Sequence, residues 1–255
     1  MPKRIAAIAD VHANVAALDA VLAELERDPP DAVVVCGDVV GGPEPSATLE
    51  RLMALERTHF VRGNAEREVV EAFDERRPFD PAEPSPARKA LAWNAERITR
   101  EERDFIAGFA ARVVLTVEGL GEALFCHGSP RSDAEIITSL TTESRLRRIL
   151  AGVEQRLVVC GHTHVQFDRT LDAVRVVNAG SVGMTYQGRR GAFWLALGPE
   201  IELRRTDYDY EQAADRIRGS DYWDAANFTE LILDPPDPRE VEEFFERAAV
   251  DSERD

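Results

Sequence analysis

The sequence predicts an α/β fold in which strands alternate with helices, and three adjacent segments support this. Residues 4–9 form an apolar run with the length of a buried strand. Apolar side chains at helical spacing follow over residues 14–26, and Pro29-Pro30 ends that helix. Residues 33–36 are a second apolar run, rich in β-branched valine. Strand, helix and strand in this order indicate a βαβ unit with parallel strands.

The alternation continues into a segment of different character. A helix is predicted over residues 46–56 and a short strand over 59–61. Residues 74–87 carry charges and prolines without apolar periodicity, which is typical of a loop. Residues 74–112 as a whole are predicted to be a helical insertion over one edge of a sheet.

Two helix starts lie within this insertion. Ser85-Pro86 opens a helix expected to run through Ile98, because proline is favoured at the first helical position. Thr99 and Glu102 have the spacing of a capping box, which predicts a second, short helix.

Strands dominate the next part of the chain. They are predicted over residues 113–117, 123–126, 157–160, 174–177, 192–197 and 201–204. Residues 207–255 are acidic and carry helical patterns at 209–218 and 238–249. We therefore expect one domain over residues 1–206 and a C-terminal helical appendage over 207–255.

Composition limits the class of protein. The chain has 255 residues, 44% of them hydrophobic, with a formal net charge of −16. This acid excess disfavours binding to long nucleic acids or to anionic membranes, both of which need clustered Lys and Arg. Its three cysteines are too few for a secreted disulfide framework, and no apolar run has the length of a membrane span. We expect a cytoplasmic protein.

Polar residues with metal-binding side chains follow the predicted strands. In open α/β sheets, ligands bind beyond the carboxyl ends of the strands. Four of the five histidines lie there, together with acidic and amide residues. The full set is Asp10, His12, Asp38, Asn64, His127, His162 and His164. His, Asp and Asn suit Mn²⁺, Fe, Zn²⁺ or Ni²⁺, and seven ligands exceed the need of one ion.

Simpler roles exist for several of these residues. Asp10 could cap the helix near residue 14, and Asn64 could be a turn residue. Cys36, Cys126 and Cys160 are expected to be small buried residues behind the site instead of ligands. Arg62 and Arg131 could contact a phosphate or form surface salt bridges.

Five short motifs in this order resemble the calcineurin-like metallophosphoesterase family, in particular its small prokaryotic phosphodiesterase branch. They are Asp10-x-His12, Gly37-Asp38, Gly63-Asn64, His127-Gly128 and Gly161-His162-x-His164. The resemblance covers roughly residues 4–205. It implies a four-layer α/β/β/α sandwich, two mixed sheets flanked by helices.

The resemblance also implies a dinuclear site, with Mn²⁺ as the first choice of metal. Asp10, His12 and His164 would hold one ion. Asn64, His127 and His162 would hold the other, and Asp38 would bridge them. A hydroxide bridging the two ions would attack phosphorus, with Asp38, Asn64 and His127 as the central catalytic residues.

One position departs from the family pattern. Much of the family has histidine after the Gly-Asn pair, where it can protonate the leaving group, but this chain has Ala65. A good leaving group, a water, Glu66 or the substrate would have to replace that function. The remaining histidine, His59, precedes the strand that ends at Val61 and is expected to point elsewhere.

The sequence therefore predicts a divalent-metal-dependent phosphoesterase acting on a small phosphate ester, with diesters preferred over monoesters. Three alternatives stay open. They are a non-catalytic interaction scaffold on the same fold, a nuclease, and a phosphatase acting on phosphomonoesters or phosphoproteins. The acidic balance disfavours the nuclease, and the intact ligand set disfavours the scaffold.

Overall fold

The computed structural model describes Pro2 and residues 4–252. Its first sheet has the strand order β10-β9-β1-β2-β3. These strands are β1 (Ile5–Ile8), β2 (Ala32–Cys36), β3 (Thr58–Val61), β9 (Ala192–Leu197) and β10 (Ile201–Thr206). β1, β2 and β3 are parallel, as the βαβ pattern predicts, and β9 and β10 add an antiparallel edge.

The second sheet has the order β4-β5-β6-β8-β7. Its strands are β4 (Val113–Val117), β5 (Gly121–Phe125), β6 (Leu157–Cys160), β7 (Phe167–Leu171) and β8 (Val174–Asn178). β5, β6 and β8 run parallel, while β4 and β7 pair antiparallel at the two edges.

Nine helices lie within the described residues. They are α1 (Val15–Arg27), α2 (Pro45–Met53), α3 (Asn64–Asp74), α4 (Pro86–Ala95), α5 (Arg100–Ala107), α6 (Glu143–Ile149), α7 (Tyr210–Arg218), α8 (Ala225–Leu233) and α9 (Pro238–Ser252). None of these described helices has the length and apolar composition needed to cross a membrane.

The side-chain alternation of the strands builds the layers. Ile5, Ala7 and Val34 of the first sheet meet Phe125 and Val159 of the second in one buried cluster, so the two sheets face each other. The alternate residues of each strand point the other way, toward the helices. Those of β1 and β2 pack on α1–α5, and those of β5 and β6 pack on α6. The predicted four-layer sandwich is confirmed.

The insertion packs where the sequence indicates. Phe60 of β3, the edge strand, stacks on Phe109, and its carbonyl accepts a hydrogen bond from the Ala110 N–H. The capping box forms as predicted: the Glu102 N–H donates to Thr99 Oγ1, and the Thr99 N–H donates to the Glu102 carboxylate. The preceding helix stops at Ala95, short of the predicted Ile98.

Four elements lack a strong sequence signal and were not predicted: α3, α6, β7 and α8. β7 is an edge strand whose middle residues are charged or polar and partly exposed. The C-terminal helices also form a core with the insertion, since Trp93 of α4 packs with Tyr222, Phe228 and Ile232. The division at residue 206 stays a prediction, but the segment after it contacts the insertion directly.

Candidate metal centre

The predicted ligands converge at the carboxyl ends of strands from both sheets. Asp10 and His12 follow β1, Asp38 follows β2, and Asn64 follows β3. His127 follows β5, whereas His162 and His164 follow β6. Because the two sheets face each other, residues more than a hundred positions apart meet at one rim.

The backbone at this rim is strained. Asp10, His12, Asp38, His162 and His164 all have positive φ, between 44° and 71°. This left-handed region is uncommon for residues other than glycine and costs about 1–3 kcal/mol each unless the surrounding structure enforces it. Its concentration on five candidate ligands indicates that the fold fixes their directions for a function.

One group of ligand atoms comprises Asp10, His12 and His164. Asp10 Oδ1 lies 3.3 Å from His164 Nε2, and His12 Nε2 lies 3.0 Å from His164 Nε2. Asp10 is fully buried, and its Oδ2 accepts the His162 backbone N–H. Oδ2 of Asp10 therefore fixes the carboxylate, while Oδ1 faces the imidazoles of His12 and His164.

The other group comprises Asp38, His127 and His162. Asp38 Oδ1 lies 3.3 Å from His127 Nε2, and Asp38 Oδ2 lies 3.9 Å from His12 Nε2. Asp38 thus faces both groups with different oxygens. This is the position that a bridging carboxylate requires.

Backbone carbonyls fix the tautomers of two histidines. The Nδ1–H of His127 donates to the Cys36 carbonyl at 2.7 Å, and that of His164 donates to the Met184 carbonyl at 2.6 Å. In the neutral ring the Nε2 lone pair then faces the site. Hydrogen bonds of this kind orient metal-binding histidines.

A pair of cations fits the donor set. Asp10 Oδ1, His127 Nε2 and Asn64 Oδ1 are buried without a hydrogen-bond partner among the described residues. Such orphaned atoms are costly unless something binds them. Oxygen and imidazole donors suit divalent ions, and two carboxylates offset part of their charge. These residues therefore fit a dinuclear divalent centre.

Glu66 is a buried carboxylate behind Asp38. It accepts four backbone N–H groups: Asp38 and Gly63 donate to Oε2, while Val39 and Val40 donate to Oε1. Glu66 thus fixes the turn that carries Asp38. It is not among the residues lining the cavity described below, so its place does not support a role in protonating the leaving group.

Two glycines leave room for the carboxylates. A Cβ on Gly63 would lie 2.1 Å from Asp38 Oδ1, and one on Gly161 would lie 2.5 Å from Asp10 Oδ2. Neither position tolerates a side chain without moving a ligand.

We expect Gly63→Ala to weaken Mn²⁺ binding by about 10- to 100-fold, the usual effect of disturbing the support of a ligand. Titration of Mn²⁺ into the metal-free protein measures this. Gly108→Ala is the matched control, because its new methyl would lie 3.3 Å from the nearest atom, the Phe105 carbonyl oxygen. Equal affinity of both variants would show that Asp38 does not depend on this space.

The electrostatics of three ligand histidines, His12, His162 and His127, differ. Burial and the neighbouring His164 lower the pKa of His12 to about 4, and burial and His127 lower that of His162 to about 4. Burial also opposes protonation of His127, but the charges of Asp38 and Asp10 outweigh it and raise its pKa to about 10. His127 in turn holds the pKa of Asp38 below its usual range, against the effect of burial.

Metal binding should therefore release about one proton per chain at pH 7–8, and His127 should supply it. The pKa of about 10 keeps its imidazole protonated there, and an imidazole must be neutral to bind a metal. Calorimetric titration of Mn²⁺ in buffers of different ionisation enthalpy counts the protons. His127→Ala should remove the release, whereas no buffer dependence in the natural protein would contradict this assignment.

The structure separates the other candidate residues from the ligand groups. Arg131 forms an ion pair with Glu135, and Arg62 Nε lies 3.5 Å from Asp133 Oδ2. These are the salt-bridge roles that the sequence left open. His59 lies within β3, not before it, and its side chain is exposed. Cys36, Cys126 and Cys160 are free and buried, as expected.

The loop over residues 178–183 supports Asp10. The Ser181 hydroxyl and the Gly183 N–H both donate to the Asp10 carbonyl. The Asn178 side chain donates to the Gly161 carbonyl at 2.7 Å. The segment from 178 to 183 therefore holds the backbone of both ligand-bearing turns.

A cavity of about 320 Å³ opens beside the ligands. Its walls include His12, Asp38, Asn64 and His164 on one side. Residues after position 206 form another wall, among them Tyr222, Trp223 and Phe228. Sequence reasoning did not place these aromatic residues near the site, because no local pattern connects them to it.

Comparison with known proteins agrees with the geometry. Residues 4–197 match the model of the calcineurin-like phosphoesterase superfamily domain. An uncharacterized protein of Methanocaldococcus jannaschii is 25% identical over 234 residues, which cover 84% of this chain and 91% of that protein.

Two solved structures are similar in fold. A metallophosphoesterase from Sphaerobacter thermophilus is 24% identical, with a TM-score of 0.72, covering 91% of this chain and 98% of the other. A hypothetical protein from Pyrococcus horikoshii is 20% identical, with a TM-score of 0.71, covering 84% and 92%.

The fold and the two ligand groups define a metal-dependent phosphoesterase. The chain belongs to the calcineurin-like phosphoesterase superfamily, as the match over residues 4–197 shows.

Proposed function

We propose that this protein hydrolyses small phosphodiesters with two divalent ions, Mn²⁺ being preferred. The observation that carries the proposal is that Asp38 faces both ligand groups, with Oδ1 toward His127 and Oδ2 toward His12. When bound, two such ions supply an activated water nucleophile near neutral pH and stabilise the charge that develops on the phosphoryl oxygens.

The chain's own residues have distinct roles in this proposal. Asp10, His12 and His164 hold one ion, while Asn64, His127 and His162 hold the other. Asp38 would bind both ions, and Glu66 keeps Asp38 in place through the backbone N–H groups of the turn. Asp10, Asp38 and His127 are buried, so their charges act in a medium that screens them poorly.

Charge favours a diester over a monoester. A diester carries one negative charge and a monoester carries up to two near neutral pH. The residues that line the cavity include Asp38 and Asp224, and no Lys or Arg is among those described. The site therefore lacks a cationic side chain to balance the second charge.

The size of the cavity favours a small substrate. The cavity lies between α4 and α8. The chain as a whole has a net charge of −16. A long nucleic acid would need a basic surface to balance its phosphates. We therefore expect a small phosphate ester, and we expect neither long nucleic acid nor membrane as a partner.

The test compares two chromogenic substrates that share one leaving group. The Mn²⁺-loaded protein should hydrolyse bis(p-nitrophenyl) phosphate with at least about tenfold higher kcat/KM than p-nitrophenyl phosphate, a difference of about 1.4 kcal/mol in transition-state stabilisation. The reverse order would identify a phosphomonoesterase. Repeating the assay with Fe²⁺, Zn²⁺ and Ni²⁺ tests the metal preference.

A further inference from the structure

The cavity beside the metal ligands has a wall of aromatic side chains. Tyr186 stacks on His164, with ring centroids 4.6 Å apart and an angle of 23° between the planes. Tyr222 meets Phe228 edge to face at 5.9 Å, and Trp223 completes this wall. The aromatic wall thus begins with Tyr186 on the ligand histidine His164 and includes Tyr222, Trp223 and Phe228.

Another part of the cavity lining is aliphatic and comes from the insertion. Ala87, Ala90 and Leu91 of α4 line it, and Ala65 lines the cavity next to Asn64. Alanine at positions 65, 87 and 90 keeps this space open. Aliphatic and aromatic side chains together line a space, here called the slot, that suits a flat apolar group.

The charges of the cavity exclude a second phosphate. Apart from the ligands themselves, Asp224 is the charged residue among the described ones that line it. A diphosphate or polyphosphate entering this space would meet a carboxylate, and the cation beside the aromatic wall, Lys89 with its Nζ 4.7 Å from the Trp223 ring centroid, is not among the lining residues. An uncharged group would enter without this electrostatic repulsion.

Trp223 of this wall carries one unpartnered polar atom. Its indole Nε1 is buried and has no hydrogen-bond partner among the described residues.

From these contacts we infer that the slot between α4 and α8 binds an uncharged aromatic ester group of the substrate, whose single phosphate lies at the metal ligands. The inference rests on the proposed function and adds the class of substrate. It assigns selection of the ester group to Trp223, Phe228 and the α4 wall, outside the metal ligands.

Binding of phosphonates tests the slot without catalysis. Methylphosphonate and phenylphosphonate, each used as its O-methyl ester, carry the single negative charge of a diester and differ only in the organic substituent. Calorimetry on the Mn²⁺-loaded protein should show phenylphosphonate binding about 10- to 50-fold tighter, since the slot removes the ring from water. 4-Carboxyphenylphosphonate, which as the same ester adds a charge to the same ring, should lose this gain.

Two variants locate the effect. Trp223→Ala should reduce the preference for the phenyl group several-fold and leave methylphosphonate affinity unchanged. Phe244→Ala is its control, because this aromatic residue of α9 is 61% exposed and lies outside the slot. Ala87→Trp should narrow the slot and reduce the preference without removing a core residue, and Ala82→Trp in the exposed loop is its control.

The outcomes separate the two proposals. Equal binding of methyl- and phenylphosphonate would overturn the aromatic slot and leave the proposed function standing. Equal binding of the carboxylated ring would overturn the requirement for an uncharged group. If neither phosphonate binds the Mn²⁺-loaded protein, the proposed function fails and this inference fails with it.

Discussion

Asp38→Asn is expected to lower phosphoester hydrolysis by at least about 10²- to 10³-fold while leaving the protein folded. Asp38 is the residue that faces both ligand groups, and the amide removes the negative charge that would bind between two cations. The amide oxygen can still accept the Ala65 N–H that Asp38 Oδ1 accepts at 2.8 Å. Kinetics with bis(p-nitrophenyl) phosphate at saturating Mn²⁺ measure the loss, and circular dichroism checks the fold.

Asp19→Asn is the control for this substitution. Asp19 forms an exposed ion pair with Arg51, and such surface pairs contribute little to stability. The activity of Asp19→Asn should equal that of the natural protein. His127→Ala should lose activity as Asp38→Asn does. Wild-type rates with added metal in His127→Ala or in Asp38→Asn would show that the site is assigned incorrectly.

Glu66→Gln is expected to lower both stability and activity. The glutamine oxygen can accept only part of the four backbone N–H groups that Glu66 accepts, and its own NH₂ would face the others. Leaving buried donors unpaired costs about 2–4 kcal/mol here. That corresponds to a fall in melting temperature of roughly 5–15 °C for a chain of this size.

Activity should fall with it, by about tenfold or more, because the backbone N–H groups of Asp38 and Gly63 lose their anchor. Differential scanning calorimetry and kcat measured well below the new melting temperature separate the two effects. Glu68→Gln is the control, since Glu68 lies on the same helix and forms a half-exposed pair with Arg67. A Glu66→Gln variant that melts and turns over like this control would refute the anchoring role.

The sequence predicts the layers and the ligands because local signals carry both. Buried valine-rich runs such as 33–36 have the length and composition of strands between apolar layers, and parallel strands bring their carboxyl ends to one rim. Asp10, Asp38 and His127 follow such strands directly. Asp10 and Asp38 follow adjacent parallel strands, so their convergence depends on topology alone. The approach of His127 also requires the two sheets to face each other, which the family resemblance implies.

The environment of the ligands depends on tertiary contacts and could not be predicted. Glu66 resembles an ordinary first-turn acid of a helix, yet it accepts N–H groups from a turn nearly thirty residues away. Tyr222, Trp223 and Phe228 belong to a segment that the sequence suggests is peripheral, and only packing on α4 brings them to the cavity. The left-handed backbone of Asp10 and Asp38 is likewise enforced by neighbours, since neither residue type requires it.

The central claim is that the two ligand groups form one dinuclear hydrolytic site. Its most direct test is to titrate Mn²⁺ into metal-stripped protein and follow bis(p-nitrophenyl) phosphate hydrolysis together with bound metal. The account predicts no activity without metal and full activity as the bound metal approaches about two ions per chain. Two bound ions without hydrolysis of this activated diester, or full activity in the stripped protein, would contradict it.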